Sequence, residues 1–156
     1  MSFISDTLKR IKPSATMVIT AKAAQLKREG KKVIGLSSGE PDFDTPKHVK
    51  EAAIEAINKG YTKYTNIEGI PELRESIVEK FKKDNDLNYN INDIIVGTGG
   101  KQILFNALVS SLNESDEVII PAPYWVSYPD MTLLAGGNPI IINCPSEKDF
   151  KLTGEA

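Results

Sequence analysis

At 156 residues the chain has the length of one ordinary domain, enough for a real hydrophobic core. A hydrophobic content of 40%, a charged content of 26% and a net charge of -2 fit a globular protein in water and exclude the basic face expected of a nucleic-acid binder. One cysteine (Cys144) and one histidine (His48) exclude an internal disulfide and a soft-ligand metal cage, and no apolar run approaches the ~20 residues of a membrane span.

The opening segment MSFISDTLKRIKPSAT lacks the apolar stretch of a secretion signal and is not rich in arginine, so the expected location is the cytoplasm. Within it, Phe3, Ile4, Leu8 and Ile11 give an arm of residues 1–12 one apolar side, suited to packing on its own domain or on a partner. A helix is predicted from Ser14 as N-cap to Gly30 as stop. The run KVIGL (32–36) reads as a short strand, and SSGEPDFDTP (37–46) as a loop dense in turn residues. Pro46 suits the first turn of a second helix, which carries Val49, Ala52, Ala53, Ala56 and Ile57 on one face and stops at Gly60. A third helix opens at Pro71 and is expected to bury Leu73, Ile77 and Phe81; its Lys80, Lys82 and Lys83 form a solvated face rather than a nucleic-acid patch.

From residue 93 the pattern changes. DIIVG (93–97), EVIIP (117–121) and PIIIN (139–143) are compact apolar runs of strand length, separated by helical segments at about 101–112 and 126–135. Strands apolar throughout are expected to be buried on both faces, and this alternation predicts a βαβαβ unit of a doubly wound α/β fold. FKLTGEA ends on Thr153 as an N-cap with only the first residues of a helix behind it, so the sequence reads as part of a longer protein.

The junction Gly97-Thr98-Gly99-Gly100-Lys101 lies where a predicted strand meets a helix, the end at which α/β sheets collect ligands. Glycines permit close backbone approach, and the free N–H groups and positive end of the helix dipole favour an anion, above all a phosphate. Gln102 breaks both nucleotide signatures, standing where a P-loop needs Ser or Thr and where the dinucleotide fingerprint needs its last glycine. By itself the motif fits an anion site and a tight packing turn equally well. PAPYWVSYP (121–129) places Tyr124 and Trp125 on the next strand-end loop, where an aromatic plane suits a flat charged ring; a lone tryptophan also fits core filling. Glu40, Asp42 and Asp44 lack the spacing of a calcium loop, and Gly39 opens a turn able to offer N–H groups to a carboxylate.

KPSAT (12–16), GEPDFDTPKHVKEA (39–52), YTKYTNIEGIPELRE (61–75), GGKQ (99–102) and PAPYWVSYPDM (121–131), in this order, resemble the N-terminal part of a class I aminotransferase. The resemblance covers essentially the whole chain and lies on the bacterial aspartate aminotransferase branch, some of whose members also use prephenate. It implies the fold type I architecture of enzymes dependent on pyridoxal 5'-phosphate. Residues 1–45 would be an arm and small-domain segment, and 46–156 the first, incomplete part of the large cofactor-binding domain. By the same resemblance Gly99, Gly100 and Lys101 cradle the cofactor phosphate and Trp125 stacks on its ring, also meeting the substrate. Tyr64 reaches the phosphate in a neighbouring subunit, which implies a homodimer with shared active sites. Gly39 holds the substrate α-carboxylate, and Lys12 and Thr16 lie where the branch tunes its acidic or prephenate substrates. The implied reaction moves the amino group of L-aspartate to 2-oxoglutarate. Family members carry the Schiff-base lysine beyond the equivalent of residue 156, so no catalytic residue is expected here and these residues alone are expected to be inactive. Two rivals from other classes remain at this stage: a stand-alone phosphate- or nucleotide-binding module, and a non-catalytic dimerisation fragment.

Overall fold

The computed structural model describes residues 3–37 and 39–154. They fall into two compact units, one made of the segments up to Gly39 and from Lys101 onward, the other of Glu40–Gly100.

In the first unit a short 3-10 turn, Asp6–Arg10, precedes helix α1, Ala15–Arg28. The Ser14 hydroxyl caps α1 by accepting from Met17 N–H at 3.5 Å, a long and therefore weak bond. The helix ends because Gly30 takes φ +80°, which turns the chain so that Lys31 N–H reaches Leu26 O at 3.0 Å. Helix α4 occupies Gly99–Ser111, starting in the other unit two residues before the expected Lys101. Strands β1, Glu117–Ala122, and β2, Asn138–Asn143, pair in parallel from Glu117 opposite Asn138 to Ala122 opposite Asn143. Their crossover is helix α5, Ser127–Leu134, which stops at Gly136 with φ +96°. Ile120, Met131, Thr132 and Cys144 form the buried centre between these three elements, and Thr132 Oγ1 donates back to Tyr128 O at 3.0 Å.

The second unit holds helix α2, Lys47–Asn58, and helix α3, Pro71–Asn85. Gly60 ends α2 with φ +79°, and Tyr61 N–H reaches Ala56 O at 3.0 Å. Pro71 takes the first helical position of α3, where a missing N–H costs nothing. The buried residues of this unit are Arg74 and Ile94; Ile77 and Phe81 are half-buried, Leu73 stays exposed against expectation because the inward position of that turn is taken by Arg74, and Phe81 meets Tyr89 edge-on at 5.7 Å.

Several expectations are corrected. Residues 32–36 form no strand and join no ladder, with Ile34 and Leu36 exposed. The run 93–97 is not a strand either: a 3-10 turn, Ile91–Asp93, leads into an extended segment whose backbone bond is Val96 N–H to Glu68 O at 2.9 Å. Among the described residues the sheet is therefore two-stranded, and the unit is βαβ rather than βαβαβ. An apolar β-branched run favours extended backbone whether or not a neighbouring strand completes its hydrogen bonds, so composition cannot supply the missing ladder. Nor are β1 and β2 covered on both faces, for Ile119 and Ile141 remain exposed. The apolar faces of α2 and α4 are likewise uncovered, with no buried residue in either helix. Thr153 Oγ1 is buried without a hydrogen-bond partner, and the residues it was expected to cap, 155 and 156, lie outside the described residues.

Candidate functional site

The first turn of α4 carries the glycines and lysine singled out in the sequence. Gly99 has φ +79°, a left-handed conformation that only glycine takes without strain, and its N–H closes back on Gly97 O at 3.0 Å. Gly100 is different. Its φ is ordinary, and a Cβ placed on it would meet no heavy atom within 4 Å. Within this chain neither backbone geometry nor packing requires a glycine there. Helix starts usually carry Asp or Glu to balance the dipole, but α4 has no acidic residue in its first turn and carries Lys101 instead.

Lys101 Nζ lies 4.9 Å from the centre of the Trp125 ring, over its face. Tyr128 holds the indole edge-on at 5.5 Å and 86°. Trp125 keeps 42% of its surface exposed, so it does not plug the core; its ring is available to a ligand. Beneath it, Leu104, Leu108, Ile120, Pro121 and Met131 line an apolar hollow of about 710 Å³. That hollow offers a dry floor and no cation for a phosphate.

The other sequence-derived candidates are placed separately. Tyr64 is fully exposed on the polar loop of the second unit. Gly39 is exposed, with open space where a Cβ would stand. Lys12 is exposed just before α1, and Thr16 is half-buried in its first turn. Of the expected set, the structure brings Lys101 onto Trp125 and places Gly99 and Gly100 in the same helical turn as Lys101. Among the described residues no cluster of His, Cys, Asp and Glu could hold a metal, and no helix is long and apolar enough to cross a membrane.

Two residues escaped the sequence reading. Arg10 donates to Leu133 O at 3.0 Å and Gly137 O at 3.1 Å, capping the end of α5. Arg74 is buried in α3. The signal for Arg74 was in the periodicity: positions 70, 74, 77 and 81 follow a four-three-four spacing on one helix face, so the arginine shares the stripe of Ile77 and Phe81.

The chain has clear relatives among known proteins. Residues 31–156 match the family model of aminotransferase class I and II. The chain is 59% identical over 156 residues to a probable aspartate/prephenate aminotransferase of Rickettsia bellii, and 60% identical over 155 residues to the aspartate/prephenate aminotransferase of Cereibacter sphaeroides. It covers 100% and 99% of its own length in these matches and 39% of each relative, so it spans well under half of the curated proteins it matches. Among solved structures, the aspartate aminotransferase of Rhizobium meliloti superposes with a TM-score of 0.92 at 50% identity, covering 99% of this chain and 39% of that one. The Thermus thermophilus aspartate aminotransferase with maleate gives 0.94 at 47% identity, covering 99% and 41%. The α/β fold is thus the fold type I architecture that the resemblance implied, and the chain belongs to the aminotransferase class I and II family.

Proposed function

We propose that these residues form the phosphate cradle and ring platform of an aspartate aminotransferase dependent on pyridoxal 5'-phosphate. The reaction is transfer of the amino group of L-aspartate to 2-oxoglutarate, with prephenate as an alternative acceptor. The observation that carries the proposal is the family match over residues 31–156, which includes a helix start with two glycines, a lysine and no acid.

The residues present fit such a cofactor. Gly99, Gly100 and Lys101 would hold the phosphate through first-turn N–H groups and the lysine charge. Trp125 would carry the ring on a face already edge-braced by Tyr128. Bound there, the cofactor supplies the electron sink that makes a substrate Cα–H acidic. The chain's own part is orientation. Gly39 would offer its N–H to the substrate α-carboxylate, Lys12 and Thr16 would read its acidic side chain, and Tyr64 would serve the phosphate of a second copy. The proposal therefore includes a homodimer with shared sites, working in the cytoplasm on amino-acid and 2-oxo-acid substrates.

Trp125 is the only tryptophan, so its fluorescence reports on the platform directly. Titration with pyridoxal phosphate is expected to quench it saturably, with inorganic phosphate competing and pyridoxal much weaker. Equal quenching by pyridoxal and its phosphate would overturn the cradle, because the phosphate would then contribute nothing.

A further inference from the structure

The Glu40–Gly100 unit contains a buried arginine that the proposed function does not use. Arg74 is only 8% exposed, and among the described residues no carboxylate pairs with it. Burying a guanidinium without a counter-charge is costly unless its N–H groups are satisfied. Here Nε donates to Ile94 O at 3.0 Å and a terminal nitrogen donates to Ile91 O. Both carbonyls belong to the stretch that leads into Gly97–Gly100.

The same stretch is held from a second direction. Val96 N–H donates to Glu68 O at 2.9 Å. Gly69, at φ +104°, comes so close that a Cβ on it would lie 2.9 Å from Val96 Cγ2 and 3.1 Å from Val96 Cβ. Among the described residues 94–97 join no sheet ladder, and the Arg74 fork and the Glu68–Gly69 contact are what hold the stretch.

We infer that Arg74 is a positioning residue for the phosphate cradle: its two-carbonyl grip on Ile91 and Ile94 sets the direction from which the chain delivers Gly99 and Gly100. This rests on the reading of Gly99–Lys101 as a phosphate site. A guanidinium can bond two divergent carbonyls with a rigid fork, whereas a lysine ammonium at the same place is a single flexible point.

The test compares wild type with Arg74→Lys by amide hydrogen exchange and by Trp125 quenching. In Arg74→Lys the amides of 97–100 are expected to exchange about tenfold faster while those of α2 stay unchanged. The midpoint for pyridoxal phosphate should rise about tenfold with that for pyridoxal unmoved, a selectivity that general loosening does not produce. Unchanged exchange at 97–100, or equal acceleration throughout α2 and α3, overturns the inference. Should Arg74→Lys lose its far-ultraviolet helical signal, Gly69→Ala is read the same way. It leaves Arg74 in place and presses on Val96, so local acceleration at 97–100 supports the clasp and its absence overturns it. A wild type that does not distinguish pyridoxal phosphate from pyridoxal sinks the cradle reading itself. A phosphate-selective wild type with an unaltered variant sinks only the role of Arg74.

Discussion

The chain contains two Gly-Gly pairs at helix ends, and they are alike in backbone and opposite in surroundings. Gly99 and Gly136 both take positive φ, +79° and +96°, and each is followed by a glycine of ordinary φ. At Gly137 a Cβ would stand 3.0 Å from Leu112 Cδ1, 3.1 Å from Thr132 Cγ2 and 3.2 Å from Asp116 O, while at Gly100 it would touch nothing. The second glycine of one pair stands where the protein fills the space, and that of the other where this chain leaves it open. The same dipeptide is thus a packing device where α5 stops, and where α4 starts the proposed function makes it a binding device.

The comparison can be broken most sharply at Gly137. Gly137→Ala forces a methyl against a backbone carbonyl that cannot swing away, so urea denaturation should show a loss of about 2 kcal/mol. A smaller loss of about 1 kcal/mol is expected for Gly99→Ala, from left-handed strain alone, because there is room for the methyl. Gly100→Ala should move stability the other way, by about 0.5 kcal/mol, since it removes unfolded-state freedom at a helical position without a clash. The same substitution should weaken pyridoxal phosphate binding about tenfold, as the methyl enters the space a phosphate would use. Stabilisation with unchanged affinity would mean that the open space is incidental. At Lys101→Met the expected loss of cation–π attraction at an exposed pair is about 0.5 kcal/mol in stability, read as a shift in Trp125 emission.

Helix limits were legible because their causes are local. Ser14, Gly30, Pro71 and Gly136 each act through their own φ or their own side chain on neighbours a few residues away. The runs 117–121 and 139–143 were legible as strands for a different reason: α5 joins them by a short crossover that brings them side by side. KVIGL and DIIVG have the same apolar character and became segments without ladders, since pairing requires a second chain segment that their own composition cannot specify. The GGKQ and PYWVSYP motifs were legible as neighbours in topology, but not the cation–π contact between Lys101 and Trp125, which depends on how two elements meet.

What the sequence determined by itself was the family grammar: the order of motifs, the capped helices, and the pairing of a glycine loop with an aromatic one. These follow from bonds and dihedrals within one turn of chain. The tertiary structure decided which glycine is crowded and which is open, that Trp125 is half-bare rather than buried, and that an arginine in a helix stripe grips the carbonyls ahead of the loop. Those outcomes depend on which atoms from distant positions arrive at the same place. A residue's identity states what it can bond or fill; only the folded packing supplies the partner.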